Sequence, residues 1–142
     1  MKQLIILSLA VLALTACGNR SNKKATENSG TETTVQVADA STVYVYYFHG
    51  KQRCKTCIAV GNVSEKTVKD VYADNPNVKF IEVQTDDEAN AALIEKYEVT
   101  WNALIIAKGG DNIEITKQAF ASAVNNPENL TDLIKTEVDK RL

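Results

Sequence analysis

The pair Cys54 and Cys57, in Cys54-Lys55-Thr56-Cys57, is the part of this sequence best suited to chemistry. In sulfur exchange the nucleophile is a thiolate, so the first question is what would hold the proton off one of these sulfurs. The segment follows a strongly β-prone run through His49-Gly50-Lys51-Gln52-Arg53 and stands where a helix is predicted to begin. Unpaired N–H groups and the positive dipole end at a helix amino terminus favour thiolate, and Arg53 and Lys55 add cationic neighbours. Cys54 is therefore expected to be the exposed, attacking sulfur. Cys57, three residues on and in the first helical turn, is placed to reach back and close a disulfide as the shielded, resolving thiol.

Two further residues bear on proton handling. The single histidine, His49, ends the strand-like run, and is either a turn residue or a group that tunes the thiols near neutral pH. Glu82 lies inside another apolar run; burial there would favour its protonated form and let it take the proton of the resolving thiol. The plainer alternative is a rim residue that points past the sheet or pairs with a lysine. Trp101 either flanks the dithiol as a docking surface or fills the core beside a third strand, packing being the preferred choice. Tyr44, Tyr46 and Tyr47 read as sheet core, and Asp86-Asp87-Glu88 as the start of a helix with no need of calcium. No residues are assigned to a metal, and no cofactor motif is present.

These side chains need a frame. Val43–Phe48 is a continuous β-branched and aromatic run, as in a strand buried on both faces of a mostly parallel sheet. Val78–Val83 and Ala103–Ala107 predict two more strands, and Ile113–Thr116 alternates like a half-exposed edge. The Gly-rich stretch Lys108–Asn112 makes the last two a hairpin. Between the first two strands, Cys57, Val60, Thr67 or Val68, and Val71 fall near helical spacing, with Gly61-Asn62 weakening the middle and Asn75-Pro76 ending the pattern. Thr85 and Glu88 form a capping-box pair for a second helix that carries Ala89, Ala92, Leu93 and Tyr97 on one face. Asn126 and Pro127 open a last helix striped by Leu130, Leu133, Ile134, Val138 and Leu142. The predicted order is β-α-β-α-β-β-α, an α/β domain over residues 42–142.

The remainder of the chain reads as appendages. Lys2 precedes an apolar run from Leu4 to Ala16, well short of the roughly 20 residues that span a hydrocarbon core, which reads as a signal peptide over residues 1–16. Residues 17–41 are polar and free of aromatics, as in a flexible tether with a reach on the order of 25–30 Å. Across all 142 residues, sixteen Lys and Arg face eighteen Asp and Glu, for a formal net charge of −2, which leaves no electrostatic footprint for nucleic acid. With 44% apolar residues there is material for one core.

The junction Leu14-Thr15-Ala16-Cys17 resembles the lipobox of bacterial lipoproteins. That resemblance implies lipid on Cys17, enough acyl chain for stable membrane anchoring, and two remaining thiols that can pair only with each other or with another molecule. Gly18 is not the acidic residue that signals inner-membrane retention, so the expected location is the cell envelope, at the outer membrane facing the periplasm.

With CxxC between a first strand and a first helix, residues 42–142 resemble the thioredoxin-fold family. The resemblance implies a three-layer sandwich with a mixed four-stranded sheet, and thiol–disulfide exchange through a mixed disulfide on Cys54 resolved by Cys57, with envelope proteins carrying thiols or disulfides as partners. The sequence departs from the family at three points. Trp-Cys-Gly-Pro-Cys is replaced by Arg53-Cys54-Lys55-Thr56-Cys57, the buried acid of the first strand falls at Phe48, and the cis-proline opposite the site falls at Asn102 or Ala103. Two alternatives therefore stay open: a binding module whose CxxC is a permanent disulfide, and soft-metal binding, for instance of Cu(I), by the two thiolates.

Overall fold

A computed structural model describes residues 39–142. The leader, Cys17 and nearly all of the tether lie outside the described residues. Four strands form one mixed sheet: β1 (Val43–His49), β2 (Val78–Gln84), β3 (Ala103–Lys108) and β4 (Asp111–Glu114), in the order β2-β1-β3-β4. β1 pairs parallel with β2 and antiparallel with β3, and β3 pairs antiparallel with β4. Thus β3 alone runs against the others.

The continuous apolar run of β1 has its reason in this placement. All seven of its residues are buried, because the strand is central and helices cover both faces. Val43, Val45 and Tyr47 face α1 (Lys55–Val71), α3 (Thr116–Ser122) and α4 (Pro127–Asp139), whose Val60, Val68, Ala119, Leu130, Ile134 and Val138 complete the larger core. Tyr44, Tyr46 and Phe48 face the other way, where Leu93, Ile94, Tyr97 and Val99 from and beside the short α2 (Ala91–Lys96) cover them. On that side Tyr44 stacks on Tyr46 with ring centroids 5.2 Å apart, and Tyr97 lies against Tyr46 at 5.5 Å.

The structure departs from several expectations. The β3–β4 turn is only Gly109-Gly110, with Lys108 opposite Asp111; Gly109 takes φ +58°, as the first central position of a II′-type hairpin turn requires. β4 thereby starts at Asp111 and ends at Glu114, and Thr116 opens α3. The sequence does not announce that helix, because seven residues anchored by Ala119 offer too little apolar period. The Thr85/Glu88 capping box does not form; Asp87 Oδ1 instead accepts from Ala89 N at 3.0 Å and caps a 3₁₀ turn, Glu88–Asn90. Ala89 and Ala92 are exposed, since α2 packs through Leu93 and Ile94. Pro127 does open α4, but Asn126 makes no side-chain cap bond. Val71 and Leu142, predicted on apolar faces, are exposed at or beyond their helix ends.

Candidate functional site

The site is built where β1 hands over to α1. Cys54 is the N-cap of α1: its backbone is extended (φ −75°, ψ 166°), and its Sγ accepts from the Cys57 N–H at 3.1 Å. A sulfur in the position of a capping oxygen meets the unpaired amides of the first turn. Cys54 and Cys57 are joined as a disulfide, their Cα atoms 5.0 Å apart. The two are unequal in access: Cys54 is exposed, whereas Cys57, in the first turn of α1, is 5% exposed. Lys55 is exposed at the first position of α1.

The remaining predicted residues converge below this turn. In the parallel register Tyr47 is opposite Glu82 and His49 opposite Gln84, so Tyr47 and Glu82 emerge on the face that α1 covers. Arg53 turns back toward them. Its Nη1 is 2.7 Å from Glu82 Oε1, and its guanidinium lies 5.5 Å from the centroid of the Tyr47 ring. The Tyr47 hydroxyl donates to the Cys57 carbonyl at 2.8 Å. Burial raises the Tyr47 pKa above the ordinary phenol value, and the Arg53 cation opposes that shift.

His49 is 3% exposed at the end of β1, so it belongs to the strand and not to a turn. Its Nδ1 donates to the Gly50 carbonyl at 2.8 Å, which a carbonyl partner can only accept. Its Nε2 lies 3.3 Å from the same Glu82 oxygen that Arg53 holds, without hydrogen-bond alignment or another partner. Glu82 itself is not enclosed. Its side chain is 43% exposed, which removes the low-dielectric premise for a buried proton acceptor and leaves a rim carboxylate paired with Arg53. The partner is an arginine and not the lysine anticipated.

Two functional neighbours escape sequence reasoning. Tyr47 reads as one more β-run aromatic, although its odd position in β1 places it on the α1 face. Gly61 reads as a weakness in the helix, yet it stands one turn beyond Cys57 and makes room for Arg53. A Cβ there would lie 2.5 Å from Arg53 Nη2 and 3.2 Å from Tyr47 ring carbons.

Trp101 does not fill the core; it is 77% exposed, just before β3. Because Ala103 pairs with Phe48, this indole stands at the end of the sheet from which the CxxC segment departs. Asn102 is half-buried and Ala103 buried. Among the described residues, no group of three or more His, Cys, Asp or Glu is arranged to hold a metal ion, and no helix is long and apolar enough to cross a membrane.

No protein-family profile matches the chain, and no curated protein matches it. A solved structure described as that of a malarial protein is similar over 68% of this chain and 97% of its own, with a TM-score of 0.47 and 23% identity.

Proposed function

We propose that this protein is a thioredoxin-like thiol–disulfide oxidoreductase of the bacterial cell envelope, tethered to a membrane through lipid on Cys17. The observation that carries the activity is the asymmetry of the dithiol: an exposed Cys54 whose sulfur takes amide hydrogen bonding at a helix start, bonded to a buried Cys57. The fold reading is supported by the strand order β2-β1-β3-β4 with β3 reversed, helices on both faces, and a CxxC leading from β1 into α1.

The chemistry follows from these positions. A partner thiolate attacks Cys54 Sγ, the Cys54–Cys57 bond breaks, and Cys57 leaves with the electron pair and takes a proton. The partner's second thiolate then attacks the partner's first sulfur in the mixed disulfide, the bond to Cys54 breaks, and Cys54 leaves as thiolate. The partner dithiol loses two electrons and becomes a disulfide; the CxxC pair gains them. Each step is reversible, so the potential of the couple sets the direction. Helix-terminal stabilisation of the Cys54 thiolate favours the reduced form. The protein needs no bound cofactor for this exchange, and its partners are envelope proteins that carry thiols or disulfides.

The test is the redox equilibrium of the protein in glutathione buffers, with peptide-level mass spectrometry separating Cys54 and Cys57 from Cys17. Reversible titration between roughly −120 and −270 mV supports exchange. A pair that stays oxidised throughout overturns it and makes the bridge a staple in a binding module.

A further inference from the structure

We propose that Glu82 acts as an electrostatic brake on the dithiol: by neutralising Arg53, it limits how strongly that guanidinium favours the Cys54 thiolate. This inference rests on the exchange reading above and names what regulates its potential.

Arg53 is one peptide bond from Cys54, and a single side chain links its guanidinium to the other cysteine, because it lies over the Tyr47 ring whose hydroxyl donates to the Cys57 carbonyl. It is not a freely moving surface cation. Nη1 is held by Glu82, Nη2 is packed where Gly61 lacks a side chain, and Nε and Nη2 are buried without hydrogen-bond partners. The Arg53 side chain is only 24% exposed, and among the described residues the Glu82 carboxylate is the one anion paired with it. His49 Nε2 approaches that same oxygen at 3.3 Å without bonding it, so Arg53 is the group that the carboxylate pairs with.

The sign of the effect is fixed by Coulomb's law. A lone cation near a thiolate stabilises it, whereas a cation paired with an anion presents a dipole whose field falls off faster. Removing the Glu82 charge therefore unmasks Arg53 and favours the reduced pair. Removing the Arg53 charge leaves the Glu82 anion without its cation and favours the disulfide. Glu82 is a positioning and charge-setting residue here and touches no reacting atom.

The experiment is the glutathione equilibrium of the wild-type protein and four variants, each checked for folding by circular dichroism. Glu82→Gln is expected to raise the equilibrium constant for reduction by up to about fivefold, and Arg53→Gln to lower it by up to a similar factor, about fivefold being the ceiling that one unit charge sets at contact distance in water. The double variant Arg53→Gln/Glu82→Gln returns to within about twofold of wild type, and Arg53→Lys, which keeps the charge, stays equally close. Shifts in the same direction, or none while the wild type titrates, overturn the brake. Where Arg53→Gln does not fold, Glu82→Gln and Arg53→Lys decide by the same criteria, since Glu82 is half-exposed. A wild-type pair that never reduces overturns the exchange reading and this inference with it.

Discussion

Tyr47 in β1 and Cys57 in α1 are joined across the sheet–helix boundary by a 2.8 Å hydrogen bond from the phenol to the cysteine carbonyl. The bond fixes the backbone of the buried cysteine to the most enclosed strand of the sheet. Tyr47→Phe keeps the ring and removes the donor, so it is expected to cost about 1 kcal/mol, or roughly 4–8 °C in melting temperature for a domain near this size. Thermal unfolding of the wild type and Tyr47→Phe in the oxidised state is the check; an unchanged Tm refutes the link.

Gly61→Ala carries an unusual sign. At an ordinary helix-interior position this change stabilises by up to about 1 kcal/mol. Here the new methyl meets the fully buried Tyr47 ring and the Nη2 of Arg53, whose Nη1 is paired with Glu82. Overpacking of this kind costs roughly 1–3 kcal/mol, so net destabilisation is expected in urea unfolding.

Glu98 occupies the left-handed region, φ 52°, one residue past the C-cap Tyr97 of α2. Its N–H donates to Glu95 O at 3.1 Å and that of Val99 to Ile94 O at 3.0 Å, the pattern of a glycine-favouring helix end. Glu98→Gly relieves ~1–2 kcal/mol of left-handed cost and loses part of it to a freer unfolded chain. A net gain of about 0.5 kcal/mol is expected from chemical denaturation.

Glu137 is buried in α4 against Lys140 Nζ at 2.7 Å and Arg141 Nη1 at 2.9 Å. The Lys140 hydrogen bond, ahead of burial, which opposes it, and of the Arg141 bond, holds its carboxyl below the ordinary value. A carboxyl depressed in the folded state contributes stability above its unfolded pKa, and that contribution fades as pH falls through the folded value. Glu137→Gln is therefore expected to destabilise by roughly 1–3 kcal/mol near pH 7 and to lose less on acidification below about pH 4 than the wild type does. Parallel acid limbs would refute this.

Trp101 is the only tryptophan, and at 77% exposure it contributes little to packing. Trp101→Ala should change stability by no more than about 0.5 kcal/mol. In the wild type, iodide should quench its fluorescence nearly as well as that of free indole; strong protection would contradict the exposed placement.

Much of this frame is legible from residues. Val43–Phe48 announces a strand enclosed on both faces because no polar residue interrupts it, and CxxC announces the site because its spacing suits one helical turn. What escapes is whatever depends on pairing between distant segments. Arg53 meets Glu82 only because β1 and β2 align Tyr47 with Glu82, a register that neither strand states alone. The apolar surroundings of Glu82 in sequence suggested burial, yet β2 is an edge strand and its end is open. Trp101 looked like core by type, whereas its position before β3 leaves it outside. α3 stayed hidden because α4 and β3 stabilise it by contact, and its own sequence hardly marks it.

The bridge between Cys54 and Cys57 spans a separation of only three in the chain. Closing so small a ring removes little freedom from the unfolded polypeptide, about 2 kcal/mol on the chain-entropy account, beside the roughly 5–15 kcal/mol that holds a typical domain together. Opening it leaves the apolar layers on both sides of the sheet untouched. The oxidised and reduced proteins are therefore expected to share one architecture, and a partner that tells them apart must do so at the sulfurs and the first turn of α1.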